Sequence, residues 1–193
     1  MNFSKSIILV GIKHSGKSTQ GKALASLLNC SFYDTDDVIQ ELTGKSPRAI
    51  YNEEGKESFL GAEKLACQHL KTILEKEQIV VSTGGGICEN DEAIRFLNTN
   101  SIFVYLSVSE KTAADRIIRE TKTDGDKITD QNSLPSYIAK KNPCTISDAR
   151  NIFHTFYEER TKKYSMLADI TIEQGSLSAA EITKKIKAAL PKD

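Results

Sequence analysis

Five short apolar runs recur along the chain: SIILVGI (6–12), SFYDT (31–35), IVVST (79–83), SIFVYLSV (101–108) and DITIE (169–173). Their lengths and their Ile, Val and aromatic content predict buried β-strands, the second being the most polar. Between them lie segments with helical spacing. GKSTQGKALASLLN carries Ala23, Leu24, Leu27 and Leu28. SFLGAEKLACQHLKTILEKE puts Phe59, Ala62, Leu65, Ala66, Leu70, Ile73 and Leu74 near one face, and Ile146 to Leu167 repeats Ile152, Phe153, Phe156 and Tyr157. Strand and helix in alternation predict an α/β fold: right-handed crossovers, a mostly parallel sheet, and helices on both faces. Ligands of such sheets bind at the C-terminal ends of the strands.

One segment interrupts this rhythm. TKTDGDKITDQNSLPSYIAKKNPCT (121–145) is polar and contains Gly125, Pro135 and Pro143. A stretch this long inside a domain reads as a lid or insertion. It is not a domain linker, because the helix and strand after it are needed to complete the sheet. The whole chain, 1–193, therefore reads as one domain.

Charge and cysteines narrow the function classes. Lys plus Arg equals Asp plus Glu at 26 each, so no global basic field exists to hold nucleic acid. No segment approaches the ~20 apolar residues of a membrane helix, and a cytoplasmic protein is expected. Cys30, Cys67, Cys88 and Cys144 are widely spaced and form no C-x-x-C pair, which predicts reduced thiols rather than zinc ligands or disulfides.

The most specific chemistry is GIKHSGKS, Gly11 to Ser18, which matches G-x-x-x-x-G-K-[ST] in full. It follows an apolar strand and opens an amphipathic helix, as a phosphate-binding loop requires. Loop amides and the helix N-terminus would form a positive cradle for phosphates. Gly11, Lys13, His14, Ser15, Gly16, Lys17, Ser18 and Thr19 make up the expected nucleotide-binding set. Lys17 would reach the β/γ-phosphates, Ser18 would ligate Mg²⁺, and His14, at a variable loop position, is expected to be solvated.

Two further stretches stand at strand ends. In FYDTDDV an extended chain would place Asp34 and Asp36 on one side and Asp37 on the other. Such carboxylates could hold a magnesium water shell and accept a proton from a hydroxyl; they could equally cap the helix that follows. In VVSTGGGICEN, Gly84, Gly85 and Gly86 follow a strand, a second backbone corner left bare although the phosphate loop already supplies one.

Together the phosphate loop, FYDTDDVIQELTG, IYNEEGKESF, STGGG and ERTKKYSMLADITIE resemble the shikimate kinases in order and rough spacing, over about residues 6–190. The resemblance implies a three-layer P-loop kinase fold with a five-stranded parallel sheet of order 2-3-1-4-5. It also implies a monomer that uses ATP and Mg²⁺ to phosphorylate a hydroxyl of shikimate, with a substrate-binding region at about 36–62 and a lid at about 121–145. By the same resemblance Asp34 belongs to the magnesium shell. Asp36 contacts and deprotonates the acceptor hydroxyl, and Lys17 and Asp36 are the catalytic pair. Gly84, Gly85, Gly86 and Arg160 bind the acceptor, with Arg160 on its carboxylate. Arg116 packs on adenine, and Ile50, Tyr51 and Phe59 lie near the acceptor ring.

Two positions depart from the family pattern. Where an arginine following Phe would grip the substrate carboxylate, the chain has Leu60, which carries no charge and no donor. Arg48, Lys56 or Lys64 are alternative sources of charge. The family's lid carries an arginine in an R-P-L-L run; here no arginine lies between Arg119 and Arg150, and Lys122, Lys127, Lys140 and Lys141 are the lid's cations. Besides a shikimate kinase, these departures fit a kinase of another small hydroxylated acceptor, or a non-catalytic nucleotide-binding homologue.

Overall fold

The computed structural model describes residues 5–191. The chain runs β1 (Ser6–Val10), α1 (Lys17–Leu28), β2 (Ser31–Asp34), α2 (Thr35–Thr43), α3 (Pro47–Glu53), α4 (Lys56–Leu74), β3 (Ile79–Ser82), α5 (Asp91–Leu97), β4 (Ser101–Ser107) and α6 (Glu110–Glu120). A two-stranded antiparallel hairpin, β5 (Thr123–Asp124) and β6 (Lys127–Ile128), follows. The chain ends with α7 (Ser136–Ala139), α8 (Ile146–Leu167), β7 (Ile170–Glu173) and α9 (Ala179–Ala189).

β1, β2, β3, β4 and β7 form one parallel sheet in the order β2-β3-β1-β4-β7. Counting sheet strands alone, this is the expected 2-3-1-4-5. The three central strands β3, β1 and β4 are buried on both faces, whereas the edge strands β2 and β7 are partly exposed, so alternate residues of the central strands feed two cores. Ile8, Val10, Val81, Phe103 and Tyr105 point to one, closed by Ala66, Cys67, Leu70 and Leu74 of α4 and Phe153 and Tyr164 of α8. Ile7, Leu9, Val80, Val104 and Leu106 point to the other, closed by Leu24 and Ala25 of α1 and Ile182 and Ile186 of α9.

Two helix faces differ from the sequence expectation. Leu27 of α1 and Leu65 of α4 are 45% and 47% exposed. The helices turn about 100° per residue, so the buried stripes follow Gly21, Leu24, Ala25 and Ala66, Cys67, Leu70, Leu74 instead. Among the described residues no helix is long and apolar enough to cross a membrane.

Register brings the functional segments together. Leu9 and Asp34 both pair with Ser82, so the C-terminal ends of β1, β2 and β3 lie level. Thr83 extends the pairing, donating from its amide to Leu9 O at 3.2 Å and from its hydroxyl at 3.0 Å. The phosphate loop, the aspartates and the glycine triplet therefore leave the sheet side by side.

Candidate active site

The loop after β1 is held from several sides. Gly11 and Gly16 have φ of 147° and 86°, left-handed geometry that glycine adopts without strain, and His14 joins them at 63°. A Cβ on Gly11 would meet Ser15 Oγ at 2.9 Å and Leu106 O at 3.0 Å. Gln174 Nε2 donates to Ser15 O at 2.6 Å, and Arg116 Nη1 donates to His14 O at 2.6 Å. Lys17 Nζ is folded back, donating to Gly11 O and Ile12 O at 2.9 Å each. Burial pulls its ammonium down to about 8, against the opposing pull of Asp36 and Asp34. The His14 side chain is only 18% exposed and lies 3.4 Å from Glu120, a half-buried pair where the sequence predicted a solvated ring.

The structure shows the capping reading for Asp34. The extended chain ends at Asp34, which is the N-cap of α2 and accepts from Asp36 N at 3.1 Å. Asp36 is thus already helical, so strand alternation does not place it. Asp34 also accepts from Ser18 Oγ at 2.7 Å, and Ser18 Oγ lies 3.3 Å from Ser82 Oγ. The Asp36 carboxyl is held above the usual carboxylate range, first by burial and then by Asp34, with Lys17 and Lys13 pulling the other way.

The glycine triplet is bare partly because the protein itself crowds it. A Cβ on Gly84 would meet Asp36 Oδ1 at 3.2 Å and Glu63 Oε1 at 3.4 Å. One on Gly85 would stand 2.7 Å from Lys13 N, and one on Gly86 would stand 3.6 Å from Arg160 Nη2. Gly84 N donates to Thr35 Oγ1 at 2.9 Å. Arg160 Nη1 donates to Gly85 O at 2.8 Å, and its guanidinium lies 4.9 and 5.2 Å from the Tyr137 and Phe156 ring centres.

One cavity of about 550 Å³ joins these parts. Lys13, His14, Gly16, Lys17, Ser18 and Thr19 line one side; Asp34 and Asp36 also line the cavity; Thr83, Gly84, Gly85, Gly86 and Arg160 line the side of the glycine triplet. Tyr51 and Phe59 pack edge to face at 5.8 Å and line it too, whereas Ile50 is buried in the core. Gly11, Ser15 and Arg116 stand behind the loop and do not line the cavity.

Sequence reasoning did not single out Glu63. It is 1% exposed; Oε2 accepts from Asn90 Nδ2 at 2.9 Å while Oε1 has no partner. Burial pushes this carboxyl up to about 7, with Asp36 adding to the rise and Asn90 and Arg160 opposing it. A glutamate on a predicted helix face without a nearby cation was the available signal.

Ser18 Oγ and Asp34 Oδ2 suit magnesium. Among the described residues no cluster of three or more His, Cys, Asp or Glu encloses a metal. Mg²⁺ keeps most of its water and needs only one or two protein oxygens beside phosphates.

A family model described as shikimate kinase matches residues 13–191. The chain belongs to the shikimate kinase family. It is 33% identical over 184 residues to a shikimate kinase of Aquifex aeolicus, covering 95% of each chain. It is 30% identical over 183 residues to one of Shewanella amazonensis, covering 94% of each. A shikimate kinase of Acinetobacter baumannii solved in complex with shikimate superposes with a TM-score of 0.77 at 26% identity, covering 95% of this chain and 91% of that one.

Against the family pattern, Leu60 does not line the cavity, and its carbonyl accepts from Asn90 Nδ2 at 2.9 Å. Lys56 and Lys64 do not line it either, and Lys64 pairs with Glu92 at 2.9 Å. None of Lys122, Lys127, Lys140 and Lys141 lines the cavity. Lys122 pairs with Asp130 at 3.1 Å, Lys140 Nζ sits 3.8 Å over the Tyr51 ring, and Lys127 and Lys141 are outside the cavity lining. The 121–145 segment contributes Pro135, Ser136 and Tyr137 to the cavity, and Leu134 and Ile138 are buried.

Proposed function

We propose that this protein transfers the γ-phosphoryl group of ATP to a hydroxyl of shikimate. The observation that carries the reading is the shared cavity, with Lys17 and Ser18 at one wall, Gly84–Gly86 at another and Asp36 between them.

The phosphate loop amides and Lys17 bind the triphosphate, and Lys17 exchanges its two carbonyl partners for phosphate oxygens. Gly84, Gly85 and Gly86 receive the acceptor ring, and Arg160 binds its carboxylate. Asp36, with its raised proton affinity, takes the proton as the acceptor oxygen bonds to phosphorus. The bond from phosphorus to the bridging oxygen breaks and ADP leaves with that electron pair. Ser18 and Asp34 would hold Mg²⁺, which when bound neutralises charge on the β- and γ-phosphates. The segment 121–145 acts as a lid that keeps water from the phosphoryl group, and 36–62 forms the acceptor side. Arg116 supports nucleotide binding by holding the loop carbonyl of His14.

Coupled ADP release measured with shikimate, with other polyols and with no acceptor tests this reading. Release that depends on shikimate is the expected result. Release dependent only on another polyol replaces the acceptor, and acceptor-independent silence overturns the kinase reading.

A further inference from the structure

The cavity carries a guanidinium that the two departures from the family pattern leave unaccounted for. Arg48 lines the cavity from α3, beside Pro47 and Tyr51, on the wall that also holds Phe59. Among the described residues no ion pair engages it. Lys13 lines the same cavity, and its backbone nitrogen is the atom pressed against Gly85. Lys13, Arg48 and Asp36 all line this cavity, and Lys13 is close enough to feel Glu120 and Asp36 as negative charges and Arg48 as a positive one. Burial pulls the Lys13 ammonium below its ordinary range, and Arg48 adds to that fall.

Two like charges lining one cavity repel unless an anion joins them. A guanidinium presents a planar fork that fits a carboxylate through two parallel hydrogen bonds. Leu60 offers nothing comparable and Arg160 is partly engaged by Gly85 O and two aromatic rings. We infer that Arg48, assisted by Lys13, is the second cation of the acceptor site and reads the acceptor's carboxylate in place of the arginine absent at position 60. The inference rests on the proposed acceptor class and deepens it. The cationic clamp on the carboxylate is retained and moved from α4 to α3, so specificity for a carboxylate-bearing alcohol survives the substitution.

The test uses steady-state ADP release with the full-length protein. Wild type, Arg48→Ala, Arg48→Lys and the double variant Arg48→Ala/Leu60→Arg are compared with shikimate and with its methyl ester, which keeps the hydroxyls and removes the charge. Arg48→Ala is expected to raise the KM for shikimate by about ten- to a hundredfold, the worth of a hydrogen bond to a charged group. The KM for ATP stays close to wild type, and the loss falls on acceptor binding rather than on kcat. Wild type should prefer the free acid over the ester, and Arg48→Ala should lose that preference. Arg48→Lys restores part of it, and in the double variant the longer Leu60→Arg side chain, entering beside Phe59, restores affinity for the free acid.

An unchanged shikimate KM, or an unchanged preference for acid over ester, overturns the inference. A fall in kcat at constant shikimate KM also overturns it, because the guanidinium then acts on the phosphoryl group. Absence of shikimate-dependent release by wild type removes the functional reading itself, and this inference with it, and is separable from the other outcomes. Arg48 is exposed, so Arg48→Ala should match wild type in thermal unfolding.

Discussion

A Cβ on Gly85 would stand 2.7 Å from the amide nitrogen of Lys13, closer than real Cβ atoms approach any backbone. The glycine-triplet loop and the phosphate loop are therefore in direct contact, and the absence of a side chain at position 85 sets the distance between them. Gly85→Ala must push one loop away. Its expected cost is about 1–3 kcal/mol of stability, as for other overpacked sites, and both substrate KM values should rise together. Denaturant midpoints and ADP release measure the two effects; a stable variant with wild-type kinetics would show that the contact does not matter.

Lys17 makes nucleotide affinity depend on pH. In the free protein its ammonium titrates at about 8 because it is buried, and phosphate binding requires the charged form. Below pH 8 the proton is already present. Above it, binding must take a proton up, so affinity should fall by about tenfold for each further pH unit. Calorimetry of MgADP binding between pH 7 and 9.5, in buffers of different ionisation heat, should show the weakening and the proton uptake. A flat profile would place the Lys17 ammonium elsewhere.

Glu63 should act on stability in the opposite sense from a paired carboxylate. Unfolded, it loses its proton near 4.5; folded, it keeps it until about 7. Between those values the folded chain binds more protons, so stability falls as pH rises, and the full cost persists above 7. That cost is about 3 kcal/mol, from ~1.4 kcal/mol for each pH unit between the two values. Glu63→Gln, which keeps an acceptor for Asn90, should be more stable than wild type at pH 8 and equal to it near pH 4. Urea unfolding at both pH values decides this, and equal stabilities at pH 8 would count against a buried, unpaired carboxylate.

Asp36→Asn should reduce kcat by about 10²–10⁴-fold, the usual worth of a positioned general base. MgADP affinity should hold, because Asp34 and Ser18 remain. In wild type the acid limb of kcat/KM should lie above the ordinary carboxylate range, since burial and Asp34 both raise Asp36. Retained turnover in the variant would remove Asp36 as the base.

Most of the fold was readable from local pattern. The run IIL in β1 and IVV in β3 are apolar on consecutive residues because both sheet faces are covered, and that continuity marks a buried parallel strand. The phosphate loop was readable for a different reason: Gly11, Gly16, Lys17 and Ser18 stand at fixed spacing within eight residues, between a strand and a helix. The exposed Leu27 and Leu65 were not readable, since a few degrees of helix rotation decide which of several leucines faces the sheet.

By itself the sequence determined the strands, the crossovers, the phosphate loop and the kinase family, because each depends on residues close together in the chain or on their order. Tertiary structure alone decided how distant side chains divide the charge of the site. Glu63 is left with a bare oxygen, Lys122, Lys127, Lys140 and Lys141 lie outside the cavity lining, and Arg48 lies within it. Electrostatic energy depends on separation in space and on burial, and neither follows from separation along the chain.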